Sequence, residues 1–423
     1  MGDKVSNSTI RSPNSPLPEG WRWVRLGEVC DGDSGVWGDV PDSSKDCYPI
    51  LRSNNIQDGA MVLGDVAVRK VIEPSIVEAK SLKTGDILVT TSSGSKDLLG
   101  KSALFLQPSD GQKYLFSNFT MRLRLKVQIV EPFFLYFYLQ SSETKQVLRL
   151  LQDTTTGLRN LDRKEFLVQA IPLPPLPRQK RIAAKVQELM AEVERARTAC
   201  EKQLEAAKAL PSAYLRQVFE SEEAKKWEGK KLGELFHVQQ GVAMSPARRE
   251  GISPHPFLRT LNVLWGHIDL SMLDEMDFTD EEVAKLSLKP NDLLVCEGGE
   301  VGRTAIWRGE LRVCLYQNHI HRLRRLNDNV VPDFYMYWMQ AAFKVFGAYS
   351  GQESKTTIPN LSGSQLKSFK VPRPSIEEQK RIASELRDKI SWAEKLKAAI
   401  QKQLEAINAL PQVILRKAFA GEM

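Results

Sequence analysis

One segment of the sequence has the composition of a phosphate-binding loop, which would give the chain a nucleotide site. The segment 94–102 ends in Gly-Lys-Ser, but five residues separate its two glycines where that motif has four. The next residues, 103–106, are Ala-Leu-Phe-Leu and predict a strand, whereas a phosphate-binding loop opens a helix. The matching segment 299–304 has Arg303 in place of the lysine. A P-loop enzyme is therefore the least favoured alternative.

Residue types that build metal and catalytic sites are sparse and poorly spaced. His319 and His321 are the only close histidine pair, and no two cysteines have zinc spacing. The sequence lacks an Asn-Pro-Pro-Tyr methyltransferase motif, a glycine-rich cofactor loop after a first strand, and a Gly-x-Ser-x-Gly nucleophile. We expect no catalytic residue, cofactor or metal in this chain. The cysteines are odd in number and typical of reduced thiols in a cytoplasmic bacterial or archaeal protein: Cys30, Cys47, Cys200, Cys296 and Cys314.

The chemistry that the sequence does offer is recognition of an acidic partner. The 423 residues carry 59 Lys and Arg against 52 Asp and Glu, a formal charge of +7. This excess of positive charge favours nucleic acid as the partner, and an anionic membrane surface as the second choice. No apolar run reaches the roughly 20 residues that span a bilayer. Nucleic acid is therefore the expected partner, and we expect no membrane role.

Two pairs of arginines recur at an offset of 200 residues, Arg122 with Arg124 and Arg322 with Arg324. Apolar and basic residues alternate strictly over 121–127, which predicts a strand with its cations on one face. Such a face would contact DNA phosphates and position the protein without reading sequence. An equally favoured interpretation is that these arginines form a solvent-exposed strand face without a DNA contact.

A second repeated pattern places an asparagine three residues after an arginine, in Arg52 with Asn55 and in Arg259 with Asn262. Arginine suits guanine and asparagine suits adenine in the major groove, and a structural turn is the alternative. Further candidates for DNA contact lie beside glycine-rich segments or in polar loops, where the backbone approaches a ligand easily. These are Lys96, Lys101, Arg303, Arg308, Thr156, Arg159, Lys355 and Thr356.

The candidates occur in pairs because the chain is a tandem duplication. Gln179–Ala183 recurs as Gln379–Ala383, and 18 of the 41 positions in Gln179–Phe219 are identical at this offset. In both copies apolar residues recur at alternating steps of three and four, the pattern of a coiled-coil seam. The first seam is Ile182, Val186, Leu189, Val193, Ala196, Cys200 and Ala207; the second is Ile382, Leu386, Ala393, Leu396, Ile400 and Ile407, with Lys389 interrupting one layer.

The helix ends and the other elements also have sequence signals. Pro211 and Pro411 predict a kink or an end in each helix, and Ser375 with Glu378 forms a capping box. A helix from 177 to 210 would be about 51 Å long. The divergent blocks predict buried strands at Asp86–Thr91 and Asp292–Cys296, and aromatic helices at Glu131–Leu151 and Val331–Tyr349.

The sequence therefore predicts an α/β (α+β) protein. Two similar mixed α/β domains are separated by two long antiparallel coiled-coil helices and related by a pseudo-two-fold axis. Such a pair would hold one domain on each of two DNA half-sites about 34–36 Å apart, and the unlike domains imply an asymmetric bipartite target. The boundaries are a disordered N-terminus at 1–17, the first domain at 18–173, a spacer helix at 174–220, the second domain at 221–373 and a second spacer helix at 374–423.

From Pro18 onward the sequence resembles the specificity subunits of type I restriction-modification systems. The resemblance rests on Trp-Val-Arg-Leu-Gly-Glu-Val at 23–29, Pro-Ile-Leu-Arg at 49–52, Glu-Gly-Gly-Glu-Val-Gly-Arg at 297–303 and the two Gln-Lys-Arg-Ile-Ala helix starts. Their order and duplication make the match specific. One departure is the segment 91–97, which has four extra residues relative to the second copy, so the two loops cannot be equivalent.

The resemblance implies two target-recognition domains, each followed by a helix, in a subunit that is not itself an enzyme. The implied partners are double-stranded DNA, two methyltransferase (M) subunits and restriction/translocase (R) subunits. Those partners would hold S-adenosylmethionine, ATP and Mg²⁺. The alternatives are a specificity partner of a type II (IIB- or IIG-like) fused nuclease-methyltransferase, and a coiled-coil scaffold without a DNA role.

Apolar residues near the helix ends would receive a methyltransferase helix and complete a four-helix bundle. An equally favoured interpretation is that these apolar residues pack only against other residues of this chain. The residues are Leu204, Leu210, Tyr214, Leu215, Phe219, Leu404, Leu410, Leu415 and Phe419.

Overall fold

The computed structural model describes residues 16–43, 46–57, 59–93, 99–155, 158–251, 253–348 and 361–423. The chain divides into two compact units, Met1–Ala199 with Gln403–Met423 (unit 1) and Cys200–Lys402 (unit 2). Each unit therefore combines one mixed α/β domain with parts of both long helices.

The first domain and its helix contain fourteen strands and six helices among the described residues. The helices are α1 Leu26–Val29, α2 Pro74–Lys80, α3 Pro132–Gln140, α4 Ser142–Leu150, α5 Arg163–Leu167 and α6 Leu176–Phe219. The strands are β1 Arg22–Arg25, β2 Cys30–Ser34, β3 Cys47–Leu51, β4 Ile56–Gln57, β5 Ala60–Met61, β6 Ala67–Lys70, β7 Ile87–Thr90, β8 Ser92–Ser93, β9 Ser102–Leu104, β10 Leu115–Phe116, β11 Thr120–Leu125, β12 Gln152–Thr155, β13 Leu158–Leu161 and β14 Ala170–Leu173.

The second domain repeats this arrangement with fewer elements in its described part. Its helices are α7 Leu232–Leu235, α8 Pro246–Arg249, α9 Asp280–Leu286, α10 Pro332–Gln340, α11 Gly363–Ser368 and α12 Ile376–Phe419. Its strands are β15 Glu228–Lys231, β16 Phe236–Gln240, β17 Pro254–Leu258, β18 Asp274–Asp277, β19 Leu293–Cys296, β20 Thr304–Ile306, β21 Leu315–Tyr316, β22 Ile320–Arg325 and β23 Lys370–Arg373.

A four-stranded antiparallel sheet forms the centre of each domain. Its order is β2-β11-β7-β9 in unit 1 and β16-β22-β19-β20 in unit 2. Every residue of β7 and β19 is buried, because these strands are apolar on both faces and are covered on both. The strands predicted at Asp86–Thr91 and Asp292–Cys296 are confirmed, and so is the prediction of two similar domains. Each copy also has a three-stranded sheet (β10-β3-β6, β18-β17-β21) and a two-stranded sheet (β1-β14, β15-β23). Unit 1 has two further sheets, β12-β13-β8 and β4-β5.

The core of each domain contains the far end of a long helix. In unit 1 the Phe419 ring packs edge-on against Phe134 and Tyr138 of α3, with centroid distances of 5.3 and 5.1 Å. In unit 2 Phe219 packs in the same way against Phe334 and Trp338 of α10, at 5.6 and 5.2 Å. The aromatic helices predicted from the sequence are therefore confirmed as core elements. The first is broken at Ser141 and the second passes into a π-turn at Ala341–Val345.

The two long helices have 44 residues each, which corresponds to about 66 Å. Both continue through Pro211 and Pro411, so of the kink or end predicted at these prolines, the end is wrong. Burial of the following turns in the domain cores holds the helix together despite the lost backbone donor. Within unit 2 Cys200 donates its thiol to the Ile400 carbonyl at 3.6 Å, while Pro211 and Ile390 line one cavity. The helices therefore run antiparallel, as predicted.

The seam residues are mostly confirmed. Ile182, Val186, Cys200 and Ala207 are buried in the first copy, whereas Ala196 is exposed. Lys389 does interrupt the second seam, and its ammonium lies 5.6 Å from the Tyr214 ring. The predicted capping box at Ser375 and Glu378 is also present, since each residue accepts the other's backbone N–H, at 3.1 and 3.2 Å.

A buried glutamine fixes the junction between each domain and its helix. Gln179 and Gln379 are 0% and 1% exposed. The Gln379 amide accepts from the Val331 N–H at 2.9 Å and donates to the carbonyls of Asn329 and Pro374 at 3.3 and 3.0 Å. Gln179 makes the corresponding three bonds in unit 1. The duplicated Gln that opens each helix therefore has a structural role.

Replacing Gln379 by methionine should lower the free energy of unfolding by about 2–4 kcal/mol, because three buried backbone groups lose their partner. The matched control is Gln401→Met on the exposed face of the same helix, which should change stability by less than about 0.5 kcal/mol. Urea unfolding of the full chain measures both. Equal midpoints for the two variants would contradict the structural role.

Candidate nucleic-acid interface

The duplicated arginines of the central strands are buried. Arg122 and Arg322 are 5% and 3% exposed, and burial lowers the pKa of both guanidinium groups. Arg122 donates to the Asp33 carboxylate at 3.0 Å and to the carbonyls of Ser81 and Ala79 at 3.0 and 3.1 Å. Arg322 donates to the Lys285 carbonyl at 2.9 Å.

Their neighbours Arg124 and Arg324 are held by bidentate ion pairs. Arg124 binds Asp86 at 2.7 and 3.0 Å, and Arg324 binds Asp292 at 2.6 and 2.8 Å. These hydrogen-bonded carboxylates raise the pKa of both arginines. The expectation of an open cationic strand face is therefore corrected: the strand alternates as predicted, but other elements of each domain cover the basic face. We therefore no longer count these four arginines as candidate phosphate contacts.

The two asparagines with adenine-reading potential are also part of the fold. Asn55 and Asn262 are 2% and 1% exposed, and each carbonyl oxygen accepts from the backbone N–H of Arg52 or Arg259, at 2.9 and 2.8 Å. Each amide nitrogen donates to two backbone carbonyls, those of Val62 and Asp65 in unit 1 and of Asp269 and Met272 in unit 2. The expectation of base reading by these asparagines is corrected in favour of the structural turn, because no donor is left over. Arg259 itself pairs with Asp274 at 2.9 Å.

The remaining predicted cations are dispersed. Lys101 and Arg303 line equivalent cavities of about 570 and 670 Å³ where the domain meets the long helices. Arg303 also donates to the Thr260 carbonyl, and Arg308 binds Asp333 at 2.6 Å. The candidates Lys96, Thr156, Lys355 and Thr356, and the side chain of Arg159, lie outside the described part of the chain.

The apolar helix residues expected to receive a partner mostly pack inside the chain. Leu215 and Phe219 are buried in the unit 2 core, and Leu415 and Phe419 in the unit 1 core. The expectation of a free partner face is corrected at these four positions, because the far end of each helix is a core element. Leu204 is also buried, Leu210, Tyr214 and Leu404 are partly buried, and Leu410 is 41% exposed.

The structure identifies two equivalent rims that sequence reasoning missed, at the ends of β7 and β19. Thr91 and Phe119 of the first rim correspond to Glu297 and His319 of the second. Trp37 packs on Phe119 in the first rim and Gln240 binds Glu297 in the second, at positions that do not correspond. Thr91 donates its N–H to the Phe119 carbonyl, and Glu297 donates its N–H to the His319 carbonyl, both at 2.9 Å. The offset of 200 that pairs the arginines also pairs Phe119 with His319, and this unlike pair was the available signal.

The second rim is polar and hydrogen-bonded. Gln240 donates to the Glu297 carboxylate at 3.1 Å and to the Asn318 carbonyl at 2.9 Å. The His319 ring nitrogen lies 3.7 Å from the same carboxylate, and its side chain is 58% exposed. Amide, carboxylate and imidazole groups of this kind can exchange hydrogen bonds with base edges.

Other site chemistry is limited in the described residues. All five cysteines are free thiols, and burial raises the pKa of Cys30 to about 12 and of Cys296 to about 11. These thiols stay protonated at neutral pH and are poor nucleophiles. No described group of three or more His, Cys, Asp or Glu is arranged to hold a metal ion. Among the residues that the structure describes, no helix has the length and apolar character needed to cross a bilayer.

Comparisons with known proteins all point to one family. The type I restriction modification DNA specificity domain matches residues 18–205 and again 224–406. The chain is 27% identical over 427 residues to the type I restriction enzyme EcoKI specificity subunit of Escherichia coli K12, covering 96% of this chain and 90% of that protein. It is 24% identical to the MjaVIII specificity subunit of Methanocaldococcus jannaschii, covering 96% and 94%.

Solved structures share the fold. The HsdS subunit from Thermoanaerobacter tengcongensis matches with a TM-score of 0.67 and 24% identity, covering 97% of this chain and 99% of that chain. A chain from a structure of complex assembly and conformational transition in the type I R-M system matches with a TM-score of 0.73 and 24% identity, covering 96% and 100%.

Proposed function

Because the chain belongs to the family of type I restriction-modification DNA specificity subunits, we propose that it reads a bipartite, asymmetric DNA site and recruits methyltransferase and restriction subunits to it. One observation carries the proposal: two units repeat one sheet topology but present different side chains at the equivalent rim. Equivalent scaffolds with unlike rims are suited to reading two unlike half-sites.

The long helices supply the spacing. At about 66 Å each exceeds the 34–36 Å of one DNA turn. The buried Gln179 and Gln379 fix each helix to its domain, so a change in helix length would change the gap between half-sites. The unread gap is thus a property of the helices rather than of the domains.

The chemistry of modification and cleavage belongs to the partner subunits in this proposal. The segment that resembles a phosphate-binding loop is followed by β9 rather than by a helix, which argues against nucleotide binding here. S-adenosylmethionine, ATP and Mg²⁺ would be held by the methyltransferase and restriction subunits. Two exposed apolar side chains on α12, Trp392 at 55% and Leu410 at 41%, are suited to docking a methyltransferase helix.

Methylome mapping tests the proposal. The chain is expressed with its methyltransferase subunit in a host without adenine methylation, and modified adenines are located by single-molecule sequencing. We expect one non-palindromic motif with a methylated adenine in each half, and no motif when this chain is omitted. A methyltransferase that binds this chain yet methylates nothing sequence-specifically would instead indicate a scaffold.

A further inference from the structure

Trp37 is a large apolar side chain that is held rigidly on the surface. It is 56% exposed, and Val40 beside it is 76% exposed. The loop that carries it is clamped at both ends: Val36 donates its N–H to the Phe116 carbonyl at 2.8 Å, and Asp39 exchanges backbone hydrogen bonds with Lys70 at 2.9 and 3.2 Å. A rigid, exposed tryptophan loses little conformational entropy on binding, which is the property of an interaction anchor.

Two glycines impose this clamp. A Cβ on Gly35 would lie 1.9 Å from the Phe116 carbonyl oxygen, so only glycine allows the loop to approach β10. Gly38 has a φ of +70°, which L side chains rarely adopt. The backbone on both sides of Trp37 is therefore fixed by local geometry and does not depend on the indole ring.

Trp37 belongs to a small composite surface. Its ring packs edge-to-face on Phe119, with centroids 5.5 Å apart, and Phe119 is 36% exposed. The Arg69 guanidinium lies 6.0 Å from the Trp37 ring centroid on the neighbouring strand β6. We call Trp37, Phe119 and Arg69 the aromatic patch.

The second unit shows that the fold does not need these rings. Gly241 makes the same close approach, since a Cβ there would lie 2.1 Å from the Tyr316 carbonyl oxygen, and Val242 donates its N–H to that oxygen at 3.2 Å. The residue after Val242 is Ala243 in place of the tryptophan. The position of Phe119 is occupied by His319. The backbone is thus duplicated while the aromatic side chains occur in one copy alone, so a general structural role does not explain them.

The composition of the patch favours a base over a phosphate as its ligand. Two of its three side chains are aromatic rings, with Trp37 56% and Phe119 36% exposed, and Arg69 is its single cation. Apolar side chains read DNA in the major groove by contact with base edges, above all with the thymine methyl group.

We propose that the aromatic patch is the apolar base contact of the half-site read by unit 1, with a thymine methyl group as its complementary ligand. This inference rests on the proposed function, and it names the residues by which one half-site differs from the other.

The test is a base-substitution scan with the assembled complex of this chain and its methyltransferase. Affinities are measured for the cognate site and for sites with one base pair changed, including deoxyuridine for thymidine to remove the methyl group. Trp37→Ala should weaken cognate binding about tenfold or more, as expected for one lost base contact. It should also abolish discrimination at one or two positions of a single half-site. Trp37→Phe should restore part of both effects.

The salt dependence of binding separates base contact from phosphate contact. Trp37→Ala should leave the slope of log affinity against log salt unchanged, because no phosphate is released. The matched control is Leu326→Ala, since Leu326 is 55% exposed but follows the end of β22 opposite to His319; it should retain wild-type base discrimination. Thermal melting of each variant shows that the units stay folded.

The outcomes are distinct. If Trp37→Ala discriminates at every position as the wild type does, the inference is overturned. If it instead loses methyltransferase binding with discrimination intact, the patch docks a protein and the inference is again overturned. If the wild-type complex itself discriminates at no position, the proposed function fails, and that failure is seen without any variant.

Discussion

Exchanging residues 18–173 for the corresponding segment of another specificity subunit should change one half of the methylated site and leave the other half and the gap unchanged. The first domain has its own central sheet and its own rim, while the long helices, which we propose to set the gap, are retained. A changed half-site of three base pairs should lose affinity for the old sequence by about 10²-fold or more, at roughly 1–3 kcal/mol for each mismatch. Sequencing of methylated adenines reads out both halves.

The helix ends constrain how this exchange is designed. Phe419 packs on Phe134 and Tyr138, so an incoming domain needs bulky rings at these two α3 positions to receive it. The matched control exchanges 221–373, where Phe219 packs on Phe334 and Trp338, and it should change the opposite half-site. A chimera that alters both halves of the motif would show that the two domains do not read independently.

The duplication made most of the architecture predictable. Apolar patterns predicted the buried strands, the aromatic helices and the antiparallel helix pair, because such patterns indicate which faces of an element are buried. The sequence gives no comparable sign that helices continue through Pro211 and Pro411. That outcome depends on packing of Leu215 and Leu415 in the domain cores, which is a tertiary effect.

The candidate interface was less predictable, for a physical reason. An alternating strand shows which residues share a face, but not whether another element covers that face. Asp86 and Asp292 were a usable signal, because a repeated carboxylate accompanies the repeated arginines. The aromatic patch was harder to find, since Trp37 matches Ala243 at an offset of 206 whereas Phe119 matches His319 at an offset of 200. No single offset therefore compares the patch with its counterpart.

Replacing Asp292 by asparagine should lower the free energy of unfolding of unit 2 by about 3 kcal/mol, the cost of breaking one buried ion pair. The Asp292 side chain is 2% exposed, and it accepts from Arg324 at 2.6 and 2.8 Å and from the Lys289 N–H at 2.8 Å. An asparagine would leave the guanidinium without a counter-charge at the end of β19. The effect should lie at the low end of the range because the Arg324 side chain is 29% exposed.

A surface pair next to Arg324 in the sequence provides the control. Arg325 and Asp328 are 3.0 Å apart but 41% and 92% exposed, so Asp328→Asn should cost less than about 0.5 kcal/mol. Urea unfolding and hydrogen exchange of the β19 and β22 amides measure both variants. The double variant Asp292→Leu with Arg324→Met should be more stable than Asp292→Asn, because it removes the uncompensated charge together with its partner. Arg324 also donates to the Ser287 carbonyl at 3.1 Å. A double variant that is less stable than Asp292→Asn would show that the other contacts of the arginine outweigh its unpaired charge, which would contradict the ion-pair explanation.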